Sequence, residues 1–422
     1  MAQNNFEGDI DNISDSQLEF INKVIIEHGF ENSKVTFAPV GKAGDNYAAT
    51  VKRITVEGEH GSFSMIAKLA PTNEIARMVM KTAAIFRNEY IMYFEVLPKF
   101  VQLQQEADVP EKEQLKFAKC YGSFAEQPNE VILLEDLKPL GFTMLDRFVS
   151  LTDDAIKSVL KNFALLHSLA YVLKRRQPNI FDYFKSNLTD MWAEQSESPE
   201  MQIFFDTLEQ QTLAVLEIPE HINLVRHKVS GCLETLQKLV KVDNENKYAV
   251  LIQGDAWTNN LMFKFENDTL TESIMIDYQM SRVGNPVIDI SYMIFNCTDY
   301  ETRKKHYYDW IDYYHSELEK SLSSFNLKAN FVYPREKLDC DLKRYGKLSF
   351  GLSICLASML VRKSEDAAKM LEMMDNVTAD NMADQVQEMG VSQLDEESIN
   401  LFKTKVIGLV TSYTEFGLLK SL

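Results

Sequence analysis

The chain lacks the short patterns that announce the commoner catalytic metals and nucleophiles. Its five cysteines, at 120, 232, 297, 340 and 355, contain no CxxC pair and no metal-ligand spacing, so they read as reduced core thiols rather than as a zinc or disulfide framework. Seven histidines show neither HxxxH nor HExxH, which removes the basis for zinc catalysis. There is no GxSxG elbow for a serine hydrolase and no Rossmann fingerprint. Basic residues are scarce: 44 Lys and Arg stand against 62 Asp and Glu, a net charge of −18, which argues against nucleic acid as a partner because that binding needs cations to displace counterions. The longest apolar stretch, Leu348 to Val361, falls short of the roughly 18 residues that span a bilayer and reads as a buried helix. The first residues, MAQNNFEGDIDNISD, have neither the basic start nor the apolar core of a secretory signal, so the expectation is a cytosolic protein with no membrane partner. No internal repeat or low-complexity tract appears.

What is present is a globular composition, 45% hydrophobic and 25% charged over 422 residues. That length exceeds one ordinary core and suits two lobes of unequal size. Ser14 with Gln17 resembles a capping box, and Leu18, Ile21 and Ile25 follow at helical spacing until Gly29. From Val35 the pattern becomes strand-like: VTFAPV, a Gly41-Lys-Ala-Gly44-Asp45-Asn46-Tyr47 turn, AATVKRITVEG, a turn at Gly58 to Gly61, and SFSMIAKLA. Apolar residues at three- and four-residue spacing over 73 to 97 predict a long helix packed on the sheet. FAKCYGSFA and EVILLEDL add two strands and place the lobe boundary near residue 137, giving an amino-terminal lobe over 1–137 and a mainly helical lobe over 138–422. A hairpin over 248–278 interrupts the helices, and the acidic stretch 374 to 398 reads as a solvated helix and loop.

In YAVLIQGDAWTNNLMFKFENDTLTESIMIDYQ two apolar strands each end on a carboxylate, Asp255 and Asp277, with Asn260 five residues beyond the first. A proton-accepting acid flanked by two hard oxygen ligands is what phosphoryl transfer from ATP with Mg²⁺ requires. Gly254 permits the sharp turn that exposes Asp255 at the strand end. Lys68 lies within the apolar strand MIAKLA, and Glu89 shares a helix face with Ile85, Phe86, Met92 and Tyr93; two inward charges of opposite sign predict an ion pair that fixes an ammonium for nucleotide phosphates. The turn containing Gly41, Gly44 and Asn46 offers backbone N–H groups to the same phosphates, although an ordinary hairpin turn looks the same. At Glu135, Asp136 and Leu137 the backbone between the lobes could meet an adenine edge. His167, on an apolar helix, reads as a satisfied core histidine. Asp289 is expected both to cap its helix and to brace the Asp255 loop. Trp192, Phe204, Phe205, Trp310, Tyr313 and Tyr314 are candidates for an acceptor pocket, with core packing the competing reading.

The runs QGDAWTNNLMF and IDYQMSRVGNPVIDISYMI, together with AGDNYAATVKRITV, IAKLAP, FRNEYIMYFEVLP, VILLEDL and LLHSLAY, resemble the ecdysteroid kinase-like proteins, within the wider choline kinase and aminoglycoside phosphotransferase group. The resemblance covers most of residues 35 to 300. It implies an α+β, protein-kinase-like bilobal fold with a small antiparallel-sheet lobe and a large, mainly helical one. It makes Lys68 and Glu89 the phosphate-binding pair, Asp255 the catalytic acid/base and Asn260 and Asp277 the metal ligands, with Trp257 lining the loop near the acceptor. The activity implied is phosphorylation of a hydroxyl on a small molecule, an ecdysteroid or another steroid or xenobiotic alcohol. Gln253 departs from the family pattern, which has His there. A catalytically weakened pseudokinase that binds a nucleotide or small molecule is therefore the alternative reading.

Overall fold

The computed structural model describes residues 4–42, 49–59, 61–71, 73–243, 246–375 and 390–419, with residues 381, 384, 385 and 388 between the last two segments. The fold is α+β and bilobal, of the protein-kinase-like type. Its small lobe is a six-stranded sheet in the order β1 (Asn5–Gly8), β2 (Lys34–Pro39), β3 (Thr50–Gly58), β4 (Gly61–Leu69), β6 (Val131–Glu135), β5 (Cys120–Phe124). All pairings are antiparallel except β1 with β2, so the sheet is mixed where the family resemblance implies an antiparallel one. The added strand comes from the polar amino-terminal segment, which carries no alternating pattern to reveal it.

Alternation decides which side chains meet the rest of the molecule. Met65, Ala67 and Leu69 of β4, with Val131 and Leu133 of β6, pack under helix α1 (Asp15–Glu27) together with Ile21, Val24 and Ile25. The intervening positions, Ile66, Lys68 and Ala70, and Ile132 and Leu134 of β6, face the other way into the main core. Helix α1 begins as the sequence predicts: Ser14 Oγ accepts from Gln17 N–H at 3.2 Å and the Gln17 side chain accepts from Ser14 N–H at 2.9 Å.

The helix expected over 73 to 97 is not continuous. Lys81 adopts φ 52°, a left-handed conformation that breaks the run into α2 (Glu74–Val79) and α3 (Thr82–Ile91). A π-helical turn at Met92–Val96 then leads into α4 (Leu97–Glu106). Pro98, which has no N–H to continue the ladder, sits just past that wide turn. Ile85, Phe86 and Phe100 join the large lobe's core rather than the cluster under α1.

The large lobe is organised around α5 (Asp153–Arg176), whose first turn holds Asp153 and Asp154 and whose last turn holds Lys174, Arg175 and Arg176, each matched to its end of the helix dipole. Helices α6 to α10 lie between Pro178 and Asp243, α7 being Met191–Gln195 and α8 Pro199–Val215. The predicted hairpin over 248–278 needs correction. β8 (Val250–Ile252) does not pair with the strand that leads to Asp277; it pairs with β11 (Arg282–Gly284). The hairpin is β9 (Leu261–Glu266) with β10 (Thr269–Met275), closed by Asn267 and Asp268, both at positive φ as a two-residue turn of the primed kind demands. β7 (Phe142–Met144) joins β9. Helix α11 (Pro286–Cys297) follows, then α12 (Tyr300–Ser323) along α5, and α13 (Ala329–Val332), α14 (Arg335–Arg344), α15 (Gly346–Leu360), α16 (Ser364–Asp375) and α17 (Glu396–Glu415) complete the lobe. α15 is the buried helix expected at Leu348 to Val361. Ten of the 25 residues in the acidic stretch 374 to 398 lie outside the described residues; its last part forms a 3-10 turn at Val391–Gln393 and, capped by Asp395, the start of α17. Among the described residues no helix is long and apolar enough to cross a membrane.

Candidate active site

Because β4 turns Lys68 toward the main core, its ammonium needs a counter-charge, and it finds two. Glu89 of α3 lies 2.5 Å away and Asp277, just beyond β10, lies 2.9 Å away. Burial works to strip the lysine of its proton, but the carboxylates of Asp277 and Glu89 outweigh it and hold the pKa above its ordinary value. Burial pushes Glu89 up to about 7, with Lys68 pulling against it and the Asp277 charge adding to it. Asp277 has φ 60°, an uncommon conformation for a residue with a side chain and one that surrounding structure must enforce. Beside Glu89, Asn88 is fully buried and stitches α3 to the large lobe: its amide donates to Thr189 O and Gln279 O and its oxygen accepts from Thr189 N–H. On the large-lobe side of that seam, Arg282 of β11 pairs with Asp190, the N-cap of α7.

The loop after β8 is held from both sides. Gly254 adopts φ +88°, and a Cβ there would lie 2.3 Å from Met280 O, so no other residue fits. Asp289, fully buried on α11, accepts from the N–H groups of Gln253 and Gly254, both at 2.8 Å, and from His167 Nε2 at 3.1 Å. It braces the loop as expected but does not cap its helix; the cap is Asn285, whose side chain accepts from Val287 N–H ahead of Pro286. A carboxylate can only accept, so His167 carries its proton on Nε2 and takes the Tyr314 hydroxyl on Nδ1 at 2.9 Å. The histidine is thus a satisfied core residue, and it also fixes the brace.

Gln253 spans the site. Its amide nitrogen donates to Ile276 O at 3.0 Å and Asp277 O at 2.8 Å, and its oxygen accepts from Asp255 N–H at 2.6 Å. One side chain therefore joins the two loops that β-sheet pairing leaves unconnected. Asp255 receives Asn260 Nδ2 on Oδ2 at 3.1 Å and the Tyr292 hydroxyl on Oδ1 at 2.8 Å. Burial, and next the charge of Asp277, push Asp255 up to about 7. Burial and the Asp255 charge together keep the Tyr292 phenol protonated, so it is the donor in that contact.

Lys68, Asp255, Asn260 and Asp277 converge on one cleft of about 790 Å³ that continues into an apolar chamber, a size typical of ligand sites. Trp257, Trp192 and Phe204 line it, whereas Phe205, Trp310 and Tyr314 are core; Tyr313 packs against that core. Among the candidates between the lobes, Glu135 accepts from Lys119 N–H, Asp136 is held by Arg53 at 2.6 Å, and Leu137 is buried; none of the three lines the cleft. Gly41 takes φ 79°, as a turn glycine should, but is not among the lining residues, and Gly44 and Asn46 lie outside the described residues. Sequence reasoning missed Tyr292 and Asn88. Tyr292 carries a legible signal, since it follows Asp289 by three residues and so shares its helix face.

Fold and site together define a protein of the protein-kinase-like class. The chain belongs to the ecdysteroid kinase-like family, whose profile matches residues 43–327. Among solved structures it is similar to an ethanolamine kinase from Plasmodium vivax, at 14% identity and TM-score 0.41, covering 84% of this chain and 80% of that one. It is similar to the GDP complex of an aminoglycoside 2'-phosphotransferase, at 10% identity and TM-score 0.42, covering 91% and 99%. A fructosamine-3-kinase homologue from Haemophilus somnus gives 11% identity and TM-score 0.37, covering 88% and 96%. No curated protein matches.

Proposed function

We propose that this protein transfers the γ-phosphoryl group of ATP to a hydroxyl of an apolar small molecule, with a steroid or a related xenobiotic alcohol as the acceptor class. The observation that carries this reading is the convergence of Lys68, Asp255, Asn260 and Asp277 on the mouth of a single chamber. Lys68, held between Glu89 and Asp277, is a fixed positive charge for phosphate oxygens. Asp255 takes the proton of the attacking hydroxyl or orients it toward phosphorus. The amide nitrogen of Asn260 is committed to Asp255, which leaves its oxygen, alongside the Asp277 carboxylate, to serve as a ligand for a metal ion. Among the described residues no cluster of three or more His, Cys, Asp or Glu side chains could enclose a metal. Two oxygen donors that leave room for phosphate oxygens suit Mg²⁺, which keeps waters and substrate oxygens in its shell. When bound, the ion supplies positive charge that neutralises the phosphate oxygens and offsets the mutual repulsion of Asp255 and Asp277.

The acceptor class follows from the chamber's walls. Trp192, Met201, Phe204, Leu208, Leu352 and Leu356 are among its walls, apolar surface that favours a flat apolar body over a polyamine or sugar. The weakened, binding-only alternative rested on Gln253 and on the absence of a tight Gly-rich loop; the three hydrogen bonds of Gln253 supply the tethering expected of a histidine there, while Gly44 and Asn46 of the loop lie outside the described residues. We further read the lobes as parting at residue 137 and the protein as cytosolic, in keeping with five cysteines that form no disulfide. The test is Mg²⁺-dependent ATP turnover with a panel of ecdysteroids and hydroxylated xenobiotics, alongside Asp255→Ala and Asp277→Ala. Phosphorylated product with at least one acceptor and none from either folded variant is the expected result. No product from any acceptor, or wild-type turnover by either variant, overturns the reading.

A further inference from the structure

Helix α11 grips the Asp255 loop at two points one turn apart. Asp289 takes the peptide N–H groups of Gln253 and Gly254, and Tyr292 reaches the Asp255 carboxylate itself. The first contact orders backbone. The second is of another kind, because Tyr292 lines the chamber beside Trp257, Leu352 and Cys355, and its hydroxyl lies 2.8 Å from Asp255 Oδ1. An alcohol about to be phosphorylated must give its O–H to the same carboxylate. The phenol already makes, from the chamber side, the hydrogen bond that the acceptor has to make.

We propose that Tyr292 is a positioning residue that stands in the place of the acceptor hydroxyl and withholds Asp255 from water until an acceptor displaces it. This rests on the assignment of Asp255 as the proton-accepting group. The competing reaction is hydrolysis: a water oxygen bonds to the γ-phosphorus, the bond from that phosphorus to the bridging oxygen of ADP breaks with its electron pair leaving on ADP, and the water proton passes to Asp255. Water that takes the chamber-side position on Asp255 Oδ1 must replace the phenol's hydrogen bond to a charged group, and it brings no further contacts with which to do so. An acceptor with an apolar body gains the whole chamber surface as it enters, so it can displace the phenol where water cannot. A hydrogen bond to a charged group is worth a factor of roughly 10 to 100 in occupancy, which sets the scale of the protection.

The phenol could instead serve only to satisfy a buried carboxylate, and the two roles separate in an assay that needs no acceptor. Release of phosphate from saturating MgATP in buffer is measured for the wild-type chain, Tyr292→Phe, Asp255→Asn and the double variant, with the melting temperature of each. The expected result is a rise of about tenfold or more in Tyr292→Phe, lost again in the double variant. A purely structural role leaves hydrolysis unchanged or lowers it, and either result overturns the proposal. A rise that persists in the double variant refutes Asp255 as the proton acceptor, and with it the function from which this inference starts. Should the Phe variant fail to melt cooperatively, Tyr292→Leu is read in the same way.

Discussion

Replacing Asp289 by alanine tests whether one buried carboxylate holds the Asp255 loop. The side chain has no solvent exposure and receives three donors: Gln253 N–H, Gly254 N–H and His167 Nε2. Its removal strands two peptide N–H groups and an imidazole N–H in the core. Each such group costs about 1–3 kcal/mol, and partial relaxation of the loop brings the expected total to about 4 kcal/mol, a large share of the 5–15 kcal/mol typical of a folded protein. With an unfolding entropy of about 2.1 cal/mol/K per residue over 422 residues, the melting temperature should fall by about 4–5 °C. Asp289→Asn keeps one acceptor oxygen but turns an NH₂ toward a donor, and should lose about half as much. Turnover should fall further than stability suggests, because Asp255 hangs from the same peptide units and a misplacement of about 1 Å costs on the order of 10²-fold in rate. Calorimetry and single-turnover kinetics at a temperature where both proteins are folded separate the two effects. An alanine variant that melts within about 1 °C of wild type would show that the brace is redundant and the argument unsound.

Gln253→Ala should reduce turnover by about tenfold or more by freeing Asp255 and Asp277 from their shared tether, while Gln253→His should stay within about threefold of wild type because an imidazole can also donate and accept; equal losses in both would contradict the tethering role. Gly254→Ala forces a side chain into a left-handed conformation and against Met280 O, and should destabilise by at least about 2 kcal/mol, read by denaturant titration. Glu209 is nearly buried; burial alone would raise its pKa, but the N–H groups of Ser230, His227 and Val229 and the Ser230 hydroxyl hold it below its ordinary 4.5. Its charged form is therefore favoured by folding, so the stability advantage of wild type over Glu209→Gln should be complete at neutral pH and vanish as pH falls below about 4.5. An advantage that grows on acidification would reverse that sign and sink the assignment.

The sequence by itself determined the elements whose signals are local. Period-two alternation in β4 put Lys68 on the opposite face from Met65 and Ala67, and an unpaired charge there is costly enough to predict a partner. Helical spacing turned Glu89 the same way, and Ser14 with Gln17 marked the start of α1 through contacts three residues apart. Lobe class and the carboxylates at two strand ends were legible for the same reason, whereas the expected core placement of the five cysteines fails at Cys340, which is exposed. Only the tertiary structure decided how distant segments meet. The strand before Asp255 pairs with β11, not with the strand before Asp277, because equally apolar strands carry no label for their neighbours. A left-handed Lys81 divides a run whose periodicity passes through it unbroken. Trp192 and Phe204 face the chamber while Trp310 and Tyr314 are core, since amphipathic spacing says that a face is covered but not by what. The hydroxyl of Tyr292 meets Asp255 across 37 residues, a contact that comes into being only when α11 docks against the loop.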